Sequence, residues 1–420
     1  MIGAGKPITH IVQQHAEEAA ILHNIRSAQV MAPHIKLHHL RRIDDRIAVH
    51  LDGLAVAGEY GLRVCDTALE SPGIGEIFVS TVQAIENKDG QRLEKLLALV
   101  NAVPAAQPGL ISALDWVSAQ FLQGVGVTLL TAMDSCRQQA GISACIAHRI
   151  DPGAILGRLV THAEPQLRAR ALRAAGELGR RDLRSVCEQY LMDQDVTCCF
   201  WAAWSAILLG NRASAISVLK EYSLMANPFQ EQALELILKV LPLTDTHLPL
   251  KTLAQDTAGM RYLVRGAGVA GDPYYIPWLI RQMDNPKFSR LAGESFSLMT
   301  GLDLAYLDLE REAPKDIESG PNDDPADENV AMDEDDDLPW PDPVKIQYWW
   351  DTNSARFPNG ERYFMGGRIT HEHCVKVLKE GYQRQRTAAA QYLCLLNPGN
   401  SIFPVSAPAW RQQRWLNQMN

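Results

Sequence analysis

The residues most capable of chemistry in this 420-residue chain fall into a few clusters. His34, His38 and His39 set two imidazoles one helical turn apart, a spacing that metal sites use. Neither a third ligand nor a Glu general base follows at a recognised distance. His371-Glu372-His373-Cys374 is denser, yet it opens an expected helix after Thr370 and lacks paired spacing, so capping or a surface position is favoured over a metal. Cys198-Cys199 lies beside Phe200 and Trp201 on an apolar stretch. Vicinal cysteines bridge poorly and no adjacent base lowers a thiol pKa, so this pair reads as core.

Phosphate and nucleophile motifs fare no better. Gly266, Gly268 and Gly271 imitate a dinucleotide fingerprint, but they end a helical stretch, whereas phosphate cradling needs a strand, a turn and then a helix. Pro72-Gly73-Ile74-Gly75 lacks the Lys-Ser/Thr of a P-loop, and no Gly-x-Ser-x-Gly elbow occurs. Arg168, Arg170, Arg173, Arg180, Arg181 and Arg184 form a basic run that could contact phosphates. Glu164, Glu177, Asp182 and Glu188 recur among them, which favours a mixed solvated face. The expectation is a protein that is not an enzyme, with no metal, no cofactor and no direct contact to nucleic acid.

The elements that must position any site are set by a repeat near thirty residues. Helix starts are expected at Asp134, Glu164-Pro165, Asp195-Val196, Asn227-Pro228, Asp256-Thr257 and Asn285-Pro286. Asp and Asn accept the open N–H groups of a first turn, and Pro fits the first helical position. Stops follow about 15 residues later at His148, Gly179, Gly210, Pro242, Gly271 and Gly301. Between them the apolar spacing is helical, as in Leu167, Ala171, Ala174, Ala175 and Leu178. A second, shorter helical stretch follows each stop. A hairpin with one apolar face must stack on neighbours, so an all-α fold is expected: an α-solenoid of about six helical hairpins over residues 126–311.

The ends differ from this pattern. Residues 1–125 read as a helical N-terminal cap, with helices expected over Ile35 to Gly58, Leu93 to Val100 and Leu110 to Phe121. Residues 343–420 read as a C-terminal module. In it Tyr348, Trp349, Trp350 and Phe357 precede a Pro358-Asn359-Gly360 turn expected to close a short hairpin. Helices over His371 to Glu380 and Gln383 to Leu396 follow.

Between these regions the charge is uneven. Glu312 to Asp342 holds 13 acids and one base, a balance of −12, whereas the whole chain is −9 and the remainder is therefore +3. Rich in Pro, Gly and Asn and poor in large apolar residues, the 312–342 segment reads as a flexible linker. Its two readings are a solvated spacer and an acidic arm that occupies a basic surface on a partner. For the arm, Asp333, Glu334, Asp335, Asp336 and Asp337 are the candidate partner-binding acids, with Trp340 as an apolar anchor. The eight scattered cysteines read as reduced thiols. No stretch of about 18 apolar residues and no secretory signal is visible, so a cytoplasmic protein without membrane contact is expected.

Five segments, HLDGLAVAG (50–58), HRIDPG (148–153), ALRAAGELGR (171–180), RFPNGERYFMGG (356–367) and PAWRQQRWL (408–416), carry a resemblance that runs through almost the whole chain. It is similar to a proteobacterial family of HEAT-like repeat proteins found beside type VI secretion genes, and within it to an immunity protein of a nuclease-type type VI effector. The resemblance implies a HEAT-like solenoid that binds and neutralises a cognate secreted toxin. The alternative is an effector-loading chaperone or adaptor of the secretion apparatus. A nuclease attracts a polyanion and so presents a basic cleft, which an acidic arm complements.

Overall fold

A computed structural model describes residues 7–314 and 333–419 of the chain. The protein is mostly helical: 22 α-helices, short 3-10 turns and one two-stranded ribbon make up the regular structure of the described residues. It divides into two compact units, Met1–Leu209 with Pro398–Asn420, and Gly210–Asn397. The boundaries expected after residues 125, 311 and 342 fall inside these units. Among the described residues no single helix is long and apolar enough to cross a membrane.

In the first unit a row of helices packs in succession: Thr9–Gln29, Ile74–Glu86, Gln107–Trp116, Ser135–Ala147, Pro165–Glu177 and Val196–Leu208, with Leu37–Val56 against Thr9–Gln29. Local chemistry sets their starts. Asp134 accepts from Cys136 N and Asp195 from Cys198 N, and Pro165 is the first residue of its helix. Gly176 allows close approach of the next helix, since a Cβ there would stand 2.8 Å from Ser205 Cα. Ser205 Oγ then donates to the Leu172 carbonyl at 2.7 Å. The core includes Leu40, Ile47, Leu54, Phe78, Leu96 and Leu110, all essentially inaccessible to solvent.

The C-terminal segment completes this unit. Ile402 N donates to the Glu177 carbonyl at 2.8 Å, and Gly399 crosses the end of the Pro165–Glu177 helix at Gly179, whose φ is +69°. Arg26 pairs with Asp44 and also donates to the Ser406 and Ala407 carbonyls at 3.0 and 3.1 Å. Asp44 in turn accepts from Ala409 N at 2.6 Å. Arg411, on the Ala409–Leu416 helix, donates to Asp115 at 2.9 Å and to the Trp116 and Val117 carbonyls.

The second unit repeats the scheme. Gln230–Val240, Met260–Ala270 and Ser289–Thr300 pack in succession. Asn227, Asp256 and Asn285 each accept from a backbone N–H two residues on. At Asn227 and Asn285 the α-helix proper starts three and four residues later, because the Asn side chain caps a preliminary turn. A Cβ on Gly268 would lie 2.7 Å from Ser295 Cα, and Ser295 Oγ donates to the Val264 carbonyl at 2.9 Å, the counterpart of the Gly176–Ser205 junction.

The expected hairpin is present, but its turn lies elsewhere. Tyr363–Phe364 pairs antiparallel with Gly367–Arg368 across Met365-Gly366, not across Pro358-Asn359-Gly360. Met365 and Gly366 both have positive φ, 48° and 78°, as a tight two-residue hairpin turn demands. The ribbon lies over helix C-termini: Tyr363 N donates to Gly271 O, and Met365 N and Gly366 N donate to Leu298 O and Met299 O. Arg362 donates to the Ala270, Lys239 and Leu241 carbonyls and so satisfies the open ends of two helices. Beyond it, helices run over His371–Glu380 and Gln383–Leu396, as the spacing predicts.

Candidate partner-binding site

The two described ends of the acidic segment meet at one point of the second unit. Arg311 N donates to the Trp340 carbonyl at 2.8 Å and Asp342 N to the Leu309 carbonyl at 2.9 Å, with Glu310 bridged to Pro341. Its two feet are therefore tied together. Residues 315–332, which carry six of its acids, lie outside the described residues.

C-terminal to them, the five candidate acids form a compact turn. Asp333 Oδ1 accepts from Asp335 N at 2.9 Å, Asp336 N donates to the Asp333 carbonyl, and Asp337 sits at φ 63°. Two of these acids face inward. Asp335 is 3% exposed and takes both Nη atoms of Arg261 at 2.6 and 2.8 Å, and Asp333 pairs with Arg290. Trp340 joins them, its ring lying 4.8 Å from the Arg290 guanidinium carbon. The others face outward. Glu334 meets Arg261 Nε at 2.8 Å with its side chain 72% exposed, and Asp336 and Asp337 are exposed.

The arginines come from three helices. Arg261 and Arg265 lie on Met260–Ala270, Arg290 on Ser289–Thr300 and Arg384 on Gln383–Leu396. Arg384 pairs with Glu294 at 2.9 Å and donates to the Glu334 carbonyl, while Arg265 pairs with Glu231. Hydrogen bonding to Asp335 raises Arg261 above its ordinary pKa against the opposing effect of burial. Burial pushes Asp333 up, but the Asp335 N–H and Arg290 outweigh it and hold the carboxyl below its usual range. Glu294 is pushed up by burial, only partly offset by Arg384 and Arg265. Sequence spacing shows none of these arginine partners, because each is more than 30 residues from the acid it meets.

The remaining candidate groups have structural occupations. Rings of His38 and His39 sit 3.9 Å apart, and His39 Nδ1 accepts from Lys36 N at the start of Leu37–Val56. His39 is driven below its ordinary pKa by burial and by His38 and Arg42. In the 371–374 cluster, His373 Nε2 donates to the Phe364 carbonyl at 2.7 Å, Thr370 caps the helix at His373 N, and His371 and Glu372 are exposed. Burial pushes the Cys374 thiol up to about 12. Among the described residues no group of three or more His, Cys, Asp or Glu could hold a metal ion.

Cys198 donates to the Pro165 carbonyl at 3.2 Å and burial raises its thiol to about 12; Cys199 donates to the Leu191 carbonyl at 3.0 Å. Gly266 and Gly268 are packing positions, and Gly271 ends its helix in the left-handed region. Gly73 precedes the Ile74–Glu86 helix, and Gly75 lies against the Ala20 carbonyl. Five of the six arginines of the basic run form ion pairs: Arg168 with Asp193, Arg170 and Arg173 with Glu177, Arg180 with Asp151 and Asp182, Arg184 with Glu188. No known protein family matches the chain, and comparison with curated proteins and with solved structures finds no match.

Proposed function

We propose that this is an immunity-type binding protein: in the cytoplasm of the producing cell it docks on a nuclease-type effector of a type VI secretion system and neutralises it. The observation that carries this reading is the acidic turn at 333–337. Asp333, Asp335 and Trp340 anchor it on the chain's own arginines, and this fixes Glu334, Asp336 and Asp337 outward, directly after a stretch of high negative charge in the sequence. A surface that a nuclease uses for a polyanion is complementary to such a face, which raises encounter rate and selects against wrong partners.

The scaffold belongs to the same reading. Stacked helical hairpins in a HEAT-like α-solenoid expose broad helix faces for a macromolecule. The repeat of one junction, Gly176–Ser205 and Gly268–Ser295, with the serine donating four residues before the glycine, supports it.

Co-expression with the effector encoded beside this gene tests the function. The expected result is growth rescue and a complex whose affinity falls with salt, with deletion of residues 322–337 weakening binding and flattening the salt dependence. No complex and no rescue overturns the reading. Altered effector export without rescue assigns the protein to effector loading instead.

A further inference from the structure

Beside the feet of the acidic segment lies an open apolar groove of about 650 Å³, lined by Leu309, Val344, Lys345, Tyr348, Trp349, Thr352 and Asn353. It is built by the Pro343–Asn353 helix. Asp342 caps that helix by accepting from Val344 N and Lys345 N, and Pro343 occupies its first position. One face, Ile346 and Trp350, sinks into the core of the second unit with Phe296, Phe357 and Tyr363. Trp349 packs partly against that core and meets the Phe296 ring edge-on at 5.9 Å. Val344 and Tyr348, one turn apart on the other side, are 77% and 78% exposed. Contiguous exposed apolar surface, unlike singly scattered apolar residues, is a mark of interaction sites.

The charge around the groove selects the occupant. Lys345 is the one base among its lining residues, and Asp308 holds it at 3.6 Å while the Asp308 and Glu310 carbonyls accept from it. Asp308, next to the lining residue Leu309, and Asp351, three residues after Tyr348 on the helix, are exposed. Leu309, in the lining, is itself bonded to the foot of the acidic segment through Asp342 N. In the sequence, residues 312–332 carry seven acids against one base, and the described ends of that stretch are bonded beside the groove, Arg311 N to the Trp340 carbonyl and Asp342 N to the Leu309 carbonyl. An apolar slot fringed by negative charge fits neither nucleic acid nor an anionic surface.

We infer that this groove is the anchor point of the partner interface, and that it takes a Lys- or Arg-rich segment of the toxin through an apolar side chain seated against Val344, Tyr348 and Trp349. The inference deepens the binding reading above and rests on it. The two parts divide the labour: the acidic segment governs encounter, and the groove governs residence. Fully desolvated aromatic contacts are where binding energy concentrates, and peripheral charge acts mainly on association.

The test measures association and dissociation rates between the full chain and the purified nuclease domain of the effector encoded beside this gene. Wild type is compared with Val344→Ala/Tyr348→Ala and with a variant whose acids in 315–332 are changed to Asn or Gln. Both groove side chains are largely exposed, so helicity and melting temperature of the first variant stay at the wild-type value. The expected result is dissociation faster by about tenfold or more for the groove variant. The charge variant associates more slowly and with a flatter salt dependence, its dissociation near wild type.

Unchanged dissociation in the groove variant, with wild type still binding, overturns the inference and leaves the proposed function standing. Faster association in the charge variant means the chain's own 315–332 covers the groove and overturns it as well. Failure of wild type to bind or rescue removes the function and the inference together.

Discussion

In the first unit, Arg26–Asp44 and Arg411–Asp115 hold the returning C-terminal segment with the Asp44 side chain 1% and the Arg411 side chain 5% exposed. In the second unit, Arg261 and Arg290 hold the acidic turn with Arg261 30% and Glu334 72% exposed. The inner members are similarly deep, with the Asp335 side chain 5% and the Arg290 side chain 10% exposed, and the difference lies at the outer pair of Arg261 and Glu334. A buried charge that loses its partner has no water to turn to, so the first clasp is a permanent part of the fold. At the second clasp, water and a partner's bases compete for the outer acids on nearly equal terms. This suits the binding function proposed above: the turn is anchored by Asp335 and Trp340, and Glu334, Asp336 and Asp337 are left toward solvent.

The comparison breaks hardest at Asp44. Asp44→Ala leaves Arg26 buried without its carboxylate and Ala409 N without an acceptor. The expected loss is about 3–5 kcal/mol in urea unfolding, with early proteolysis of the C-terminal segment. Replacing both partners, Arg26→Met with Asp44→Leu, is expected to cost much less, since no orphaned charge remains. Equal losses in the two variants would mean that packing, not charge burial, sets the depth of this clasp.

Acid sharpens the comparison from another side. His23 is stacked on Phe78 at 4.0 Å and burial lowers its pKa to about 4. A depressed imidazole contributes stability that is whole above its unfolded value of 6.5 and is lost as pH falls through about 4. Over that window wild type is expected to lose roughly 3 kcal/mol more than a His23→Leu variant. Chemical denaturation at pH 7 and pH 4 reads the difference, and parallel losses in the two proteins would show that His23 does not titrate this way.

Much of this architecture is legible because its causes are local. Asp134 and Asp195 cap the helices their types announce, and Gly271 and Gly301 end theirs at positive φ. The first and longest helix, Thr9–Gln29, escapes the apolar pattern for a physical reason: its buried face includes His23 and Arg26, while Ile11, Ile21 and Ile25 are exposed. Ile74–Glu86 escapes for the opposite one, being buried nearly all round, so that no polar face contrasts with its apolar one. At the candidate site the sequence reveals the acids and Trp340 through composition alone. Their orientation depends on Arg261, Arg290 and Arg384, 43 to 74 residues distant, which no periodic pattern singles out.

Asp335→Asn tests the anchor of the second clasp. It removes the charge that meets both Nη atoms of Arg261 but keeps the shape, so about 1–2 kcal/mol of stability is expected to go, less than at Asp44. The turn would loosen around Asp333, and, on the function proposed above, toxin affinity would fall with it. A loss as large as that of Asp44→Ala would make the two clasps equivalent and remove the argument from depth.

Glu334→Gln carries the smallest change in stability and the most specific consequence. The Glu334–Arg261 pair is solvated on the carboxylate side, and exposed pairs of this kind contribute about 0–1 kcal/mol, less at high salt. Arg261 keeps both Asp335 contacts, so unfolding is expected to shift by less than about 0.5 kcal/mol. On the function proposed above, toxin association should nevertheless slow, because the lost charge lies on the exposed side of the turn, and the deficit should shrink as salt screens the remaining charges. Stability falling while association holds would reverse the assignment, making Glu334 part of the anchor and leaving Asp336 and Asp337 as the acids that meet the partner.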